Sequence, residues 1–579
     1  MSIDRIKTRV IFLISLTILI TITSVIIAFE LNPKFFLLLL ITFPLTYLSF
    51  KQSQKLSKAK LLMKLREEWG VSDSRLRNFS ELEAQFKKNQ AGIDNKYTLD
   101  DRTWNDLDMD SIYAQIDRTL TIPGELSLYS LLRRPLIDEE ELNTRNHLIN
   151  LFFQNQDIRE KYQVALSRLG KTEDVYNLDI LWEDRPPPNK HVFLYKILSL
   201  LIPIFIVLGI LNYSLAWFGL GAIILFNMAI HYRTKEKIYA YLTSLRYLGK
   251  LIRCAKSITD IKPPEMENYR VKIEQALSKV SYITKKTSLL GREAESFYIY
   301  EYLNIIFLLE VRAFYSICTA LEKHESQLKQ LFTTIGFMDA IIAVASYRAG
   351  LESFTEPKFL NSESTLKIEE LVHPLLKNPI PNSISIEKGG ILVTGSNMSG
   401  KTTLLKTIGV NAVLAQTIYT CHAKEYQACC FHIMTLIGRR DNLIEGKSYY
   451  LDEIHALLRI INALEKDIPC LCLLDEIFRG TNSLERVSAS AEVLLYFARH
   501  NCLIFVSTHD LELTKLAENS YQNFHFLEKI TEDGISFNYK LMRGPSTTSN
   551  AIQLLRHVGY PDEIVDASES RVQETIKDE

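Results

Sequence analysis

Twenty consecutive residues, Val10 to Phe29, carry no charge. A helix of about 20 apolar residues spans the roughly 30 Å hydrocarbon layer of a bilayer. Asn32-Pro33-Lys34 supplies a turn, and Phe35 to Phe50 is a second uncharged run of 16 residues, interrupted by Pro44. That length spans with tilt or local thinning. No small-residue cleavage site follows the first run, which argues against a removed targeting signal. Ile197 to Ile230 is again free of charge, with a break near Asn212-Tyr213. Extended to Val192 and Tyr232 it makes two further spans, with Lys196 able to snorkel. The competing reading of each pair is a helical hairpin buried in a soluble core. Arg5, Lys7 and Arg9 precede the first span, Lys51, Lys55, Lys58 and Lys60 follow the second, and Arg233, Lys235 and Lys237 follow the fourth. The positive-inside rule then predicts a multi-pass protein of the inner or cytoplasmic membrane, with both termini and all large segments in the cytoplasm.

The chain has 579 residues, room for about four domains at the usual size. Hydrophobic residues make up 47% and charged residues 23%, which excludes wholesale disorder and low-complexity classes. The mean hydropathy of +0.00 therefore averages apolar hairpins with charged segments. A formal net charge of −1, from 67 basic and 68 acidic residues, excludes a globally basic nucleic-acid coat but leaves room for a local basic face. The 8 cysteines form no CxxC pair and none has zinc-ligand spacing with histidines, so they read as buried thiols in a reducing compartment.

The spacing of Leu126, Leu128, Leu131, Leu132 and Leu136 predicts a helix with one apolar face, and Glu139 to Leu151 continues in that style. Pro186-Pro187-Pro188 reads as a stiff linker. From Thr234 to Ser353 the pattern is long helices. Near Leu371 the texture changes to short β-rich runs, Gly390 to Thr394, Cys470 to Leu474 and Leu503 to Ser507, alternating with helices. That alternation predicts a parallel α/β domain. The expected organisation is a membrane hairpin at 1–51, helical segments at 52–190 and 234–365 flanking a second hairpin at 191–233, and the α/β domain at 366–579.

Gly395-Ser396-Asn397-Met398-Ser399-Gly400-Lys401-Thr402 fits the phosphate-loop pattern G-x-x-x-x-G-K-[ST]. It follows an apolar strand and opens a helix at Thr403, the context in which backbone N–H groups and a helix N-terminus close around phosphate. Lys401 is placed for the β- and γ-phosphates of ATP, and the Thr402 hydroxyl for Mg²⁺. The run Cys470 to Leu474 ends in Asp475-Glu476. Asp475 is placed to hold Mg²⁺ and Glu476 to orient or deprotonate the attacking water. His509, after the strand Leu503 to Ser507, is placed to donate to the γ-phosphate. The competing readings are a chance loop, a solvated acidic turn and a structural histidine.

Together these motifs resemble the MutS family of mismatch-repair ATPases, related to the ABC ATPases. Thr394 to Thr403 is similar to that family's Thr-Gly-Pro-Asn-Met-Gly-Gly-Lys-Ser-Thr. His373-Pro374 and Pro381-Asn382 resemble its entry into the ATPase domain. Ser448-Tyr449-Tyr450-Leu451-Asp452-Glu453 resembles its Ser-Thr-Phe-Met-x-Glu segment, which implies that Ser448 contacts, in trans, the γ-phosphate held by a second subunit. Leu474 to Ser483 resembles the Walker B and D-loop run, with Phe478 in place of a glycine, and Ser507-Thr508-His509 with Glu512-Leu513 resembles the last motif. Asp117-Arg118-Thr119, Gly124, Leu131 to Leu136 and Asp339-Ala340 resemble the helical core and lever. The implied fold is a C-terminal α/β P-loop, ABC-type ATPase domain preceded by an all-α core and lever, here interrupted by two transmembrane hairpins. The family's N-terminal mismatch-reading domain is expected to be missing, with membrane spans in its place. Its Phe-x-Glu wedge finds only the letters of Phe79-Ser80-Glu81 and Phe354-Thr355-Glu356, and neither is assigned that role.

The resemblance implies ATP and Mg²⁺ as cofactors, a homodimer, and DNA, mismatched or structured, as the partner. One alternative keeps the ATPase but passes its motion to the spans or to a protein partner. Another is a passive scaffold that binds ATP without turnover, against which the Asp475-Glu476 pair argues. An ABC transporter fits less well, with only four spans and no Leu-Ser-Gly-Gly-Gln signature.

Overall fold

The computed structural model describes residues 3–30, 32–89, 96–171, 192–290, 298–360, 364–396, 399–438, 449–464, 467–479, 481–531, 534–546 and 551–578. The chain divides into two compact units. The first comprises Met1–Val71, Thr119–Gly124 and Leu151–Ile342, and the second Ser72–Arg118, Glu125–Asn150 and Ala343–Glu579. The units therefore do not follow the linear boundaries expected from the sequence. The Pro186-Pro187-Pro188 linker lies outside the described residues.

The first unit is helical. Ile3–Glu30 pairs with Leu39–Glu67, and Val192–Ile210 with Leu215–Thr259. Among the described residues, five helices are long and apolar enough to cross a membrane by length and composition. In four of them, the two hairpins, 0 to 22% of the apolar window is buried, and in the fifth, Glu325–Ala349, 72% is. The fifth is a core helix. The hairpin helices instead expose residues such as Phe12, Phe43, Leu200 and Phe218. Both hairpins continue as helix beyond their apolar runs, so the expected boundaries at 51 and 233 fall inside Leu39–Glu67 and Leu215–Thr259. The reason is that a change from apolar to charged faces does not interrupt 3.6-residue periodicity. In Leu215–Thr259 the stripe Leu245, Leu248, Ile252, Ala255 and Ile258 is buried. Arg66 closes a bidentate pair on Glu160 at 2.7 and 3.0 Å, and Arg159 lies 3.8 Å over the Trp69 ring.

Asp339, fully buried, organises the start of helix Ile122–Arg133. Its carboxylate accepts from Leu120 N at 3.0 Å, Thr121 N at 2.8 Å and Thr121 Oγ1 at 2.6 Å. A Cβ on Gly124 would lie 2.1 Å from Asp339 Oδ2, so only glycine admits this approach. Leu120, Thr121 and Gly124 thus converge with Asp339, far away in sequence, on one helix start.

The second unit contains two sheets. β1 (Lys358–Phe359), β2 (Leu366–Leu371), β3 (Asn382–Ile386) and β5 (Glu425–Ala428) form a four-stranded sheet in the order β1-β5-β2-β3. Periodicity gave no warning of this smaller sheet, because its strands are short. β4 (Gly389–Thr394), β6 (His432–Leu436), β7 (Cys470–Asp475), β8 (Cys502–Ser507), β9 (Tyr521–Thr531) and β10 (Gly534–Arg543) form the main sheet, ordered β10-β9-β4-β8-β7-β6. Its strands are parallel except β10, which pairs antiparallel with β9. β4, β7 and β8 are buried almost throughout, as expected of parallel strands covered on both faces. Helix Lys401–Ile418 packs on β6, β7 and β8, and Ser483–Ala498 on β4 and β8.

Buried arginines and an aspartate fix this unit. Arg348 donates to Ile418 O at 3.1 Å and Tyr419 O at 2.7 Å, and Arg145 to Thr417 O at 2.6 Å. Both cap the C-terminus of Lys401–Ile418, where orphan carbonyls and the dipole favour cations. Asp106 accepts from Thr435 Oγ1 at 2.8 Å and Ile437 N at 3.0 Å at the end of β6. Phe79 packs edge-on against Tyr113, and Glu356 accepts from Asn146 and Asn150. Both Phe-x-Glu tripeptides are therefore structural.

Asp339→Ala leaves two buried N–H donors unpaired and is expected to cost about 3 kcal/mol. Gly124→Ala is expected to cost at least as much, through the clash. Denaturant unfolding measures both, and near-neutral values would refute the role given to this carboxylate.

Candidate functional site

The site forms where β4, β7 and β8 end on the same side of the main sheet. Parallel strands with helical crossovers put their C-terminal ends, and the loops that follow, together. β4 leads through the glycine loop into Lys401–Ile418. Gly395 and Gly400 have φ of +143° and +109°, values that a side chain rarely tolerates. Lys401, 5% exposed, donates to Gly395 O at 2.8 Å and Ser396 O at 2.9 Å, and lies 3.3 Å from His509 Nε2.

Asp475 ends β7. One of its oxygens accepts from Thr402 Oγ1 at 3.0 Å, and the other from Ser507 Oγ at the end of β8. Glu476 follows at φ +52°, a strained conformation for a residue with a Cβ. Its N–H is held by Ser507 O at 3.0 Å, its carboxylate lies 3.0 Å from His509 Nε2, and Arg479 Nε pairs with it. Arg479 also lies 3.6 Å from Asp475. Burial pushes the Glu476 carboxyl up, but His509, Arg479 and Lys401 together outweigh it and hold it below the usual range. Glu476 is therefore ionised at neutral pH. Its ionised form contributes stability above the ordinary glutamate range that is lost as pH falls through the depressed value.

Phe478, standing where the resemblance expects glycine, keeps a glycine-like φ of +60°. The left-handed backbone costs about 1–2 kcal/mol. The ring offsets this by burial in the apolar core, edge-on to Tyr450 at 6.2 Å.

Beside the loop lies a cavity of about 650 Å³. Its polar wall includes Lys401, Thr402, Asp475 and Glu476, and its apolar wall Leu376, Pro379, Ile380, Phe526 and Tyr539. Burial, with Lys406 nearby, pushes the His373 imidazole in this wall down to about 4, so it is neutral at physiological pH. Asn382 holds Tyr539 over the loop, donating to Tyr539 O at 3.0 Å and accepting from Leu541 N at 2.8 Å. The sequence reading missed Arg479, Phe526 and Tyr539. Arg479 lay within a quoted motif, but β10 reaches the site only through sheet order, and no spacing signals that.

The structure thus brings together Gly395, Ser396, Ser399, Gly400, Lys401, Thr402, Asp475, Glu476 and His509. Thr403 lines the same cavity. Asn397, Met398 and Ser448 lie outside the described residues. Among the described residues no group of three or more His, Cys, Asp or Glu could hold a metal. The Thr402 hydroxyl and Asp475 carboxylate, 3.0 Å apart, are hard oxygen donors of the kind Mg²⁺ takes when it keeps most of its shell for water and phosphate.

Fold and site define an α/β domain carrying a phosphate-loop sequence on its central strand-to-helix turn, in a chain whose other unit is largely helical. Residues 391–576 match MutS domain V and residues 97–345 match MutS domain III. The chain belongs to the MutS family. It is 30% identical over 278 residues to the DNA mismatch repair protein MutS of Thermotoga maritima, covering 46% of this chain and 34% of that protein. It is 30% identical over 261 residues to a protein of the same name from Thermus thermophilus, covering 44% and 31%. The Clostridium kluyveri protein is 29% identical over 343 residues, or 55% and 37%. The chain thus spans about a third of the length of these relatives.

His509→Ala removes the strongest favourable contact of the Glu476 carboxylate, so Glu476 is expected to titrate at higher pH. The acid limb of turnover at this site then moves upward relative to the unaltered protein. An unmoved limb would show that His509 does not set the charge state of Glu476.

Proposed function

We propose that this chain is a membrane-anchored ATPase that binds and hydrolyses ATP with Mg²⁺, works as a homodimer and acts on DNA. The observation that carries the reading is the Thr402–Asp475 contact beside Lys401 and the Glu476–His509 pair. Thr402 and Asp475 would hold Mg²⁺, which when bound would neutralise phosphate charge. Lys401 trades its loop carbonyls for phosphate oxygens, Glu476 aligns or deprotonates water, and His509 keeps that carboxylate ionised and positioned. The cavity wall of Leu376, Ile380, Phe526 and Tyr539 offers flat, apolar contact for the base. The names of the relatives, DNA mismatch repair protein MutS, support DNA as the partner and a role related to DNA repair. The contact in trans that the family resemblance implies for Ser448 is the reason to expect a dimer. The exposed apolar hairpins and the lysine and arginine residues flanking them support a multi-pass protein of the cytoplasmic membrane, with the ATPase and core in the cytoplasm.

A second reading, in which the ATP-driven motion acts on the membrane or a protein partner without DNA, is favoured by one observation. Leu215–Thr259 runs unbroken from an apolar span into the buried core of its unit.

Lys401→Ala is expected to abolish nucleotide binding, and normal turnover by that variant would refute the site. Glu476→Gln is expected to lower turnover by about a hundredfold or more while retaining ATP and stabilising a dimer. A monomer with trapped ATP would contradict the trans site. Duplex DNA titrated into the detergent-solubilised chain is expected to bind at low salt and weaken steeply as salt rises. No binding at low salt would leave the second reading, and equal binding to matched and mismatched duplexes would remove mismatch sensing.

A further inference from the structure

Three elements of the first unit meet beside the second hairpin: Val192–Ile210, Ile283–Thr287 and Leu309–Lys323. Their register is fixed by two contacts. Tyr195 stacks on Tyr315 at 6.0 Å, and Arg312 donates to Ser199 Oγ at 2.6 Å. The two helices therefore run antiparallel here, which brings Lys196 toward the turn that carries Ser316. Lys286 donates to Ser316 Oγ from the third element, and Ser316 lies one turn from Arg312 on the same helix face.

Three cations are thus gathered on one side of the hairpin. Arg312 and Lys286 are half-buried and Lys196 is exposed. None of the three forms an ion pair with a carboxylate among the described residues. Burial first, and then the nearby Lys196 charge, hold the Lys286 ammonium below its usual range. Cations brought out of water are ordinarily paired with anions, and here the protein supplies the Ser199 and Ser316 hydroxyls, the Phe307 carbonyl 3.4 Å from Arg312 and the Tyr282 ring 5.0 Å from Lys286. Lys196 opens the third span, at the end that Arg233 marks as cytoplasmic. Basic pockets at that depth match lipid phosphate in charge and position.

We propose that Arg312, Lys286 and Lys196 form a site for the anionic headgroup of a phospholipid in the cytoplasmic leaflet. The inference rests on the membrane reading of the second hairpin. Ser199 and Ser316 orient Arg312 and Lys286, the stacked tyrosines form an apolar floor, and the acyl chains lie along the exposed face of Val192–Ile210.

The test uses the whole 579-residue chain. Resistance of the membrane-bound chain to alkaline carbonate extraction reports integration. Titration of the detergent-solubilised chain with phosphatidylglycerol and, separately, phosphatidylcholine, followed by native mass spectrometry, reports headgroup preference. Phosphatidylglycerol is expected to be retained in preference, and the K196Q/K286Q double variant to lose about thirtyfold in its affinity, at roughly one kilocalorie per charge. Arg312→Gln is expected to lose at least as much per charge, and the double variant keeps the test open should Arg312→Gln fail to fold. Equal retention of the two lipids, or an unchanged double variant, overturns the proposal. Displacement of the lipid by inorganic phosphate at millimolar concentration overturns the lipid as the source of the phosphate. An extractable chain overturns the membrane reading itself, whereas an integral chain without headgroup preference overturns this proposal alone.

Discussion

The carboxylate of Asp475 is the joint on which the site depends. One oxygen takes the Thr402 hydroxyl at the start of the loop helix, and the other takes Ser507 at the end of the neighbouring strand. The ends of β7 and β8 and the helix that follows β4 are thereby held in one cluster. The strands cannot shift by a residue without turning Asp475 into the apolar core. The same register places Glu476 against His509 and Lys401. Chemistry and folding therefore make the same demand on this residue.

Around that joint the protein accepts strain and relieves it nearby. Glu476 and Phe478 both sit at positive φ, which a chain without supporting contacts would not hold. Glu476 is kept by Ser507 O, His509 and Arg479. Phe478 is kept by the apolar core and Tyr450. The substitution of phenylalanine for the expected glycine thus preserves the turn and adds a packing contact, tying the segment after the carboxylates to helix Tyr449–Ala463.

The helical unit applies the same logic to a single buried acid. Asp339 at the far end of the unit's sequence satisfies the N-terminus of a helix that begins more than 200 residues earlier. Burial pushes its carboxyl up to about 6, and three donors are spent on holding it. The two hairpins differ in kind: their apolar residues face outward, and their continuation helices carry the polar joints, such as Arg66 with Glu160.

Much of this was legible in the sequence because the signals are local. A glycine loop between an apolar strand and a helix, acids at a strand end, and uncharged runs of spanning length each declare themselves within a short window. Lys401, Thr402, Asp475, Glu476 and His509 were found that way. Tyr539, Phe526 and the convergence of Gly124 on Asp339 were not, because strand order and helix packing join residues that no window contains. The sequence by itself determined which groups are candidates for the site and which helices carry long apolar runs. The tertiary structure alone decided which of those groups share a site, since parallel strands must reach one another through long crossovers, and only closure of the sheet makes their ends neighbours.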